Sequence, residues 1–284
     1  MNTAGSRDEV AAGESDLTAV PPRKIVIGYD RSIDAQAAAA WALDEATRSG
    51  ALVEFFYARD PTGSAPADPV DGELCRTLRD MLADAAALGR HIHPAVRTAI
   101  SIGNGAAASA LIARSAGASL IVLGSPGHSS VTGRLGSVSV AVSGHARCPV
   151  VVVRGAAAPT EPIVVGVDES SPAWSALTFA ARQAAARRVL LRVVHARRTR
   201  EAPAVTAGEL TDRCRIDHPD LEISTEVLGE HPAAALVQAA THAQLVVVGS
   251  RGRGVMRGML LGSVSQHLLR RSACPVAIVP VRTS

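Results

Sequence analysis

The chain has 284 residues, of which 47% are hydrophobic, 19% charged and only 2% aromatic, and its formal net charge is +3. A chain of this length suits two α/β domains of about 140 residues each. The hydrophobic content excludes a disordered chain, and the small net charge gives no support to nucleic-acid binding. Because aromatic residues are so few, the core must be built from Ala, Val, Leu and Ile.

Residue counts exclude further classes of protein. Lys24 is the only lysine and is followed by Ile25, whereas a P-loop needs a lysine directly before Ser or Thr. The four cysteines are never two to four residues apart, so a zinc knuckle is not expected. No run of about 18 apolar residues and no apolar signal segment is present. We therefore expect a cytoplasmic protein with free thiols and no membrane partner.

The first half of the chain alternates apolar runs with Ala-rich stretches. Residues 1–22 are polar, carry four acidic side chains and end in two prolines, so they are predicted to form a mobile N-terminal tail. Strands are predicted at residues 24–29, 51–58, 96–101, 119–123 and 150–153, and helices at 34–48, 73–90, 106–115 and 137–146. This alternation indicates βαβ units and a parallel sheet covered on both faces.

The second half follows the same plan after a linker predicted at residues 156–162. Strands are predicted at residues 163–167, 189–195, 221–227, 245–248 and 276–279, with one helix beginning near Ser171 and another at 263–271. Uninterrupted apolar runs such as residues 245–248 are typical of central strands, which are buried on both faces.

The two halves repeat one another. Residues 25–32 (IVIGYDRS) match residues 163–170 (IVVGVDES) at an offset of 138. Three further matches follow in the same order: LIVLGSPG at 120–127 with LVVVGSRG at 245–252, LGSVS at 135–139 with 261–265, and CPV at 148–150 with 274–276. Four anchors in one order indicate a tandem duplication, with a first domain at 23–155 and a second at 163–284.

The fifth strand of each copy is apolar and has high β propensity. An unpaired apolar edge strand is a liability, because it can pair with other chains. We expect the strands at residues 150–153 and 276–279 to cover each other by pairing within the chain. Whether chains also associate as homodimers is left open by the sequence.

The most informative segment runs from Gly249 to Ser265. It reads Gly249-x-x-Gly252, nine residues, then Gly262-Ser263, and it lies between a predicted strand and a predicted helix. Glycines let the backbone turn tightly and approach a ligand. The helix start offers N–H groups and a positive dipole end, and Ser263 and Ser265 add hydroxyl donors. These features favour a phosphate cradle, although an ordinary βα loop with a serine N-cap explains the same pattern.

Charged residues accompany this glycine loop. Arg251, Arg253 and Arg257 lie within it. Asp168 ends the first strand of the second copy and is followed by Ser170. In open α/β sheets, ligands bind at the carboxyl ends of strands near the topological switch point. A carboxylate there can accept hydrogen bonds from ribose hydroxyls or hold Mg²⁺, or it can cap the next helix.

With this motif, both halves resemble universal stress protein domains, and the chain resembles tandem universal stress proteins of the actinobacterial type. The family's ATP-binding pattern is Gly-x-x-Gly, nine residues, then Gly and Ser or Thr, and the second half has it complete. The resemblance implies an α/β fold of two open, doubly wound, Rossmann-like parallel sheets with strand order 3-2-1-4-5. The ATP-binding residues that it implies in the second domain are Asp168, Ala196, Gly249, Arg251, Gly252, Arg253, Gly262, Ser263, Val264 and Ser265.

The first half departs from the family pattern. Only eight residues separate Gly127 from Gly136, and Pro126 stands where the second copy has Arg251, which removes a backbone N–H and a charge. We therefore expect weaker ATP binding in the first domain. The corresponding residues there are Asp30, Ala58, Gly124, Gly127, Gly136, Ser137, Val138 and Ser139.

These patterns together predict a non-catalytic regulator that binds ATP, with Mg²⁺ left open as an accompanying ion. The resemblance implies a role in stress or growth arrest. An ATPase of low turnover is one alternative, but no Gly-x-Ser-x-Gly elbow and no candidate general base is present to support it. An interaction module without nucleotide is the other. Low aromatic content argues against nucleic-acid partners that stack bases, and the sequence names no protein partner.

Three weaker signals have two interpretations each. His195 is predicted either to line an adenine pocket or to mark a strand edge. Cys148 and Cys274 recur at matching positions, and we expect buried apolar filler rather than redox chemistry. Arg187 and Arg188 are expected on a solvated face or against an anionic partner.

Overall fold

The computed structural model describes residues 23–59, 70–125, 136–155, 158–168, 170–196, 207–252 and 261–281. Within these residues, ten β-strands form one sheet, and helices pack on both of its faces. The tail predicted at residues 1–22 lies outside the described residues, and so do residues 156 and 157 of the predicted linker.

The elements of the first half agree with the sequence prediction to within three residues at each end. The strands are β1 (Lys24–Gly28), β2 (Leu52–Arg59), β3 (Thr98–Asn104), β4 (Leu120–Gly124) and β5 (Val150–Val153). The helices are α1 (Ile33–Ser49), α2 (Val70–Ile92), α3 (Ala107–Arg114) and α4 (Ser137–His145).

The second half has the same order of elements. Its strands are β6 (Ile163–Gly166), β7 (Leu191–Ala196), β8 (Ile223–Leu228), β9 (Leu245–Gly249) and β10 (Val276–Val279). Its helices are α5 (Ser171–Arg187), α6 (Ala207–Asp217), α7 (Pro232–Ala239), which continues into a short 3-10 helix, and α8 (Ser263–Arg271).

The strands follow the order β3-β2-β1-β4-β5-β10-β9-β6-β7-β8. Each half therefore has the order 3-2-1-4-5, and its strands are parallel. The chain leaves the first strand of each half in one direction along the sheet and later returns on its other side, which creates the switch point of a doubly wound fold. In the second half this point lies between β6 and β9.

The two halves join through one antiparallel contact between β5 and β10. Val152 pairs with Val276, Val151 with Ala277, and Val150 with Ile278. This confirms that the fifth strands cover each other within the chain. Because both apolar edges are used in this way, they offer no surface for a homodimer.

Both faces of the sheet are buried. Along β1, Ile25 and Ile27 join the core on the side of α1, α2, α5 and α6, whereas Val26 joins the core on the opposite side. Alanines such as Ala38 and Ala42 are fully buried on α1, so this helix lies close to the sheet without aromatic residues. In the part of the chain that the structure describes, no helix is long and apolar enough to cross a membrane.

A buried polar cluster connects the two halves where α1 meets α5. Gln183 Nε2 donates to Glu45 Oε1 at 2.8 Å, and Arg187 Nη2 donates to Glu45 Oε2 at 2.9 Å. Arg187 also donates to the Gln183 side-chain oxygen, and its guanidinium lies 5.5 Å from the centre of the Trp41 ring. Glu45 and Gln183 are equivalent positions of the repeat, so this contact joins corresponding points of the two halves.

Burial governs the electrostatics of this cluster. It lowers the pKa of the Arg187 guanidinium, and the Glu45 carboxylate acts in the opposite direction. The Arg187 side chain is only 6% exposed, so both expectations for it, a solvated face or an anionic partner molecule, are wrong. Its partner is a carboxylate of the other half of the same chain.

Three of the four cysteines are buried, and all four are free thiols. Burial raises the pKa of Cys148 to about 12 and that of Cys274 to about 11. It raises the pKa of Cys214 as well. These thiols stay protonated at neutral pH, which agrees with an apolar packing role.

The interdomain cluster leads to a stability prediction. We expect Arg187→Met to lower the free energy of unfolding by about 3 kcal/mol, because it leaves the Glu45 carboxylate buried without its main counter-charge. Adding Glu45→Gln should recover more than half of that loss, since no buried charge then remains. Urea unfolding followed by circular dichroism measures both changes.

Arg270→Met is a matched control, because Arg270 is exposed on α8. We expect it to change stability by less than about 0.5 kcal/mol. Equal effects of the Arg270 and Arg187 substitutions would contradict the assigned role of the cluster.

The raised thiol pKa values predict a reactivity pattern. At pH 8, a disulfide reagent that attacks thiolates should label only Cys75 rapidly, because Cys75 is partly exposed. Cys148 and Cys274 should react at least about 100-fold more slowly than a free cysteine, since their thiolate fractions are so small. Cys75→Ser should remove the rapid phase, and urea should expose the remaining thiols. Rapid labelling of Cys148 in the folded chain would contradict the prediction.

Candidate functional site

The glycine loop of the second domain is closed at its base by three hydrogen bonds. Ser250 N–H donates to the Val279 carbonyl at 2.8 Å, and Gly262 N–H donates to the Ser250 carbonyl at 2.9 Å. The Ser265 hydroxyl donates to the Gly249 carbonyl, also at 2.8 Å. The end of β9 is thereby fixed against the beginning of α8, although residues 253–260, with Arg253 and Arg257, lie outside the described residues.

Gly252 lies directly against the carboxylate of Asp168. A Cβ atom at Gly252 would be 2.5 Å from Asp168 Oδ2, which is closer than real Cβ atoms approach other atoms. The loop backbone and the carboxylate therefore approach each other closely at this glycine, and a side chain here would displace the carboxylate. Two sequence features that are 84 positions apart meet here at the carboxyl ends of β6 and β9.

The other oxygen of Asp168 organises the turn that follows β6. Asp168 Oδ1 accepts from the Ser170 N–H at 3.0 Å and also from the Ser170 hydroxyl. In the first domain, Asp30 Oδ1 accepts from the Ser32 N–H at the same distance of 3.0 Å. Asp168 therefore forms a turn with Ser170, the N-cap residue of α5, and does not cap the helix itself, because α5 has no side-chain cap hydrogen bond among the described residues. Its second oxygen faces the glycine loop. The repeated Asp-x-Ser spacing is the sequence signal for this turn.

The first turn of α8 completes the arrangement. Gly262 is its N-cap, and no side chain of the described residues forms a cap hydrogen bond there. The first N–H groups of a helix have no partner within the helix and carry the positive end of its dipole. Ser263 is exposed, and Val264 is half-buried beside it. The backbone at these two positions can therefore receive an anion, as phosphate sites at helix starts do.

Ser265 has a different position from the one expected. It was predicted to present its hydroxyl to a ligand, but it is 2% exposed and that hydroxyl donates to the Gly249 carbonyl. Ser139 is its equivalent, and it donates to the Gly124 carbonyl at 3.3 Å. The third residue of each helix thus faces back onto the strand that precedes the loop. Both hydroxyls therefore tie the start of the helix to that strand, and the assignment of these serines to the ATP site stays a prediction.

The remaining predicted residues of the second domain are placed as follows. Arg251 is exposed at the start of the loop. Ala196 is the last residue of β7, which neighbours β6, and its backbone pairs with Leu228. His195 precedes it and is 5% exposed, so it is an interior residue of the sheet rather than a solvent-exposed strand edge.

The first domain has the same framework up to its loop. Ser125 N–H donates to the Val153 carbonyl at 3.0 Å, and Gly136 is the N-cap of α4, which carries Ser137 and Val138 in its first turn. Gly127, together with Pro126 and the rest of the loop to residue 135, lies outside the described residues. Asp30 is exposed at the end of β1, and Ala58 is partly buried near the end of β2.

Packing accounts for one glycine of the first domain without any ligand. A Cβ atom at Gly124 would be 2.4 Å from both the carbonyl carbon and the carbonyl oxygen of Asp34. The first turn of α1 therefore leaves no room for a side chain at this position. Gly124 is predicted as an ATP-binding residue, and the close passage of α1 is a structural reason for a glycine at this position.

Other charged groups near the sheet are engaged in ion pairs. Lys24 Nζ lies 2.9 Å from Glu54 Oε2, at the amino end of β1, and Arg114 Nε lies 3.5 Å from Glu54 Oε1. Hydrogen bonds and these cations hold the pKa of Glu54 below its ordinary value although burial acts to raise it. No group of three or more His, Cys, Asp or Glu side chains that could hold a metal ion occurs among the residues described.

Comparisons with known proteins agree with this geometry. A model of the "Universal stress protein family" matches residues 22–154 and again 159–280. A universal stress protein of Mycobacterium tuberculosis is 32% identical over 289 residues, which cover 90% of this chain and 98% of that protein. A second one from the same organism is 31% identical over 284 residues, covering 89% of this chain and 95% of that protein.

Solved structures show the same fold. A universal stress protein from Archaeoglobus fulgidus superposes with a TM-score of 0.75 at 20% identity, covering 93% of this chain and all of that one. Two consecutive matches to the family model span nearly the whole described chain, and relatives above 30% identity extend over about nine-tenths of it. The chain belongs to the universal stress protein family, with two domains of that family in tandem.

Proposed function

We propose that the second domain binds ATP and that the chain acts as a nucleotide-dependent regulator rather than as an enzyme. The observation that carries the proposal is the approach of Gly252 to Asp168, where a Cβ atom would lie 2.5 Å from Oδ2. A backbone without a side chain, a carboxylate and the start of α8 meet at one edge of the sheet. A nucleotide has a complementary group for each of them.

The chemistry assigns each part of the nucleotide to a different element. Asp168 accepts hydrogen bonds from ribose hydroxyls, because it lies at the carboxyl end of β6 beside the switch point, where ligands of doubly wound sheets bind. The N–H groups of Ser263 and Val264, at the start of α8, receive phosphate oxygens. Arg251 and the loop arginine Arg253 supply positive charge, and Mg²⁺ would arrive bound to the phosphates rather than in a cage of protein ligands.

We assign weaker binding to the first domain. Its loop is one residue shorter between Gly127 and Gly136, and Pro126 removes a backbone donor. In addition, packing against α1 explains Gly124 fully, so this glycine gives no support to a ligand. The remaining support in this domain is Asp30 with the first turn of α4, which is less than the second domain offers.

The proposed role is regulatory because the site offers recognition without a candidate for proton transfer. One oxygen of Asp168 already accepts two hydrogen bonds from Ser170, which engage it in the turn after β6. We propose that occupancy of the loop changes the surface that a protein partner binds, as part of a stress or growth-arrest response in the cytoplasm.

The first experiment is the nucleotide content of the purified chain. The chain is purified without added nucleotide and denatured, and the released adenine nucleotides are quantified by chromatography. We expect about one per chain. About two per chain would contradict the weaker first site. If none is released, titration with ATP and Mg²⁺ decides between a weak site and an interaction module without nucleotide, and ADP and cyclic AMP as competitors test the preference for ATP.

Gly252→Asp tests the site directly. The new carboxylate would occupy the space of Asp168 Oδ2 and repel both it and a phosphate, so we expect ATP affinity to fall at least about 100-fold. Nucleotide stoichiometry and titration calorimetry measure the loss, and circular dichroism shows that the variant is folded.

Two matched controls accompany this variant. Gly117→Asp introduces the same side chain where a Cβ atom meets nothing within 4 Å, at the amino end of the sheet, and should leave binding unchanged. Gly127→Asp should have a small effect. If Gly127→Asp abolished binding while Gly252→Asp did not, the assignment of the second domain would be wrong. Steady phosphate release that disappears in Gly252→Asp would instead support the ATPase alternative.

A further inference from the structure

A groove in the described part of the chain lies at the domain junction, away from the glycine loop. Its volume is about 770 Å³. It is bounded by the starts of β1, β4 and β5, the end of β10, and one side of α5 and α6. Its floor is apolar and includes the buried side chains of Ile25, Leu120 and Phe179.

The charge around this groove is predominantly positive. Five arginines line it, whereas its carboxylates are Glu45 and Asp217. Glu45 is already neutralised by Arg187 in the interdomain cluster. The lining arginines are Arg23, Arg48, Arg147, Arg182 and Arg213. An occupant that complements this surface carries several negative charges together with apolar side chains.

In the second half, the place that corresponds to the groove lies at the amino ends of β10, β9 and β6, and the linker between the domains occupies it. There the linker runs from the end of β5, past the starts of β10 and β9, to the start of β6. Gln244, directly before β9, donates from Nε2 to the carbonyls of Pro159 and Glu161 at 3.0 and 2.6 Å. The segment that leads into the second domain is thus held along the amino edge of its sheet.

The groove is the counterpart of this path in the first domain. Gln244 N–H donates to the Pro162 carbonyl at 3.0 Å, and its counterpart Ser119 N–H donates to the Lys24 carbonyl at 2.8 Å. The equivalent path therefore runs from the end of β10, past the starts of β5 and β4, to the start of β1. Val279, Pro149 and Ser119 line the groove in this order.

The segment that leads into β1 is residues 1–22, which enter the described part of the chain at Arg23, on the groove itself. This segment has four carboxylates and one arginine, so its charge is opposite to that of the groove. It also contains Val10, Leu17 and Val20. The linker crosses its edge with eight residues, 155–162, so 22 residues are long enough for the equivalent crossing.

We infer that the acidic N-terminal segment, residues 1–22, docks into the arginine-lined groove of its own chain and covers the domain junction. Acidic side chains of the segment contact the arginines at the rim, and its apolar residues lie on the floor. Trp174 lines the groove and is 40% exposed in the described structure, so docking covers it. The inference does not depend on nucleotide binding.

Trp174 provides the measurement. The chain has two tryptophans, and Trp41→Phe leaves Trp174 as the only one, with Phe as the residue already found at the equivalent position 179. Acrylamide quenching is compared between this full chain and a version that lacks residues 2–20. We expect the quenching constant of Trp174 to rise at least about twofold on truncation, because the segment no longer covers the ring.

A synthetic peptide of residues 1–20 should restore protection of the truncated chain in a saturable manner, and 0.5 M NaCl should weaken it. The same peptide with Asp8, Glu9, Glu14 and Asp16 replaced by Asn or Gln should protect at least about tenfold more weakly. In the full chain, Arg147→Ser with Arg213→Ser should raise quenching to the truncated level. Arg270→Ser, outside the groove, should leave it unchanged.

Three results would overturn the inference. Equal quenching of the full and truncated chains would show that the segment does not cover Trp174. Equal protection by the neutral peptide would show that charge does not direct the docking. Protection that disappears when the full chain is diluted from 50 to 0.5 µM would assign the occupant to a second copy of the chain instead of the same one.

Discussion

The antiparallel pairing of β5 with β10 determines how everything else in this protein is arranged. It joins two parallel half-sheets into one sheet of ten strands, and it relates the halves by an approximate twofold rotation. The strands of the two halves consequently run in opposite directions. The carboxyl ends of the first half therefore lie on the edge of the sheet opposite to those of the second, and the two glycine loops are separated by the full length of the strands.

The same pairing brings α1 and α5 together and so places Glu45 against Gln183, which is its equivalent in the repeat. Two identical halves would place the same side chain on both sides, and two buried glutamates would repel each other. Here one side has Glu45, the other has Gln183, and Arg187 compensates the remaining charge. The two halves have thus diverged at this contact, so that each provides a different side chain and neither half could replace the other.

The sequence predicted the elements, the duplication and the pairing of the fifth strands because these follow from local patterns: apolar periodicity, repeated motifs and an edge that needs cover. It also identified Gly252 and Asp168, but not that a side chain at position 252 would meet the Asp168 carboxylate, since that depends on β6 and β9 being neighbours in the sheet. The hydrogen bond of the Ser265 hydroxyl to the Gly249 carbonyl was not predicted, for a similar reason. A residue three positions into a helix can face the ligand or the strand, and only tertiary structure decides.

Arg187 and Gly124 illustrate a second limit of sequence reasoning. An arginine pair at the end of a helix usually lies in solvent. Nothing near Arg187 in the sequence indicates that it pairs with Glu45 of the other domain. The signal that existed was Glu45 itself, a charged residue among the buried alanines of α1. Gly124 shows the converse. It belongs to the glycine motif, but the backbone of α1, rather than a ligand, leaves no room for a side chain there. A repeated glycine motif therefore supports a nucleotide site only where, as at Gly252, the space that it keeps free borders a group with the chemistry to bind one.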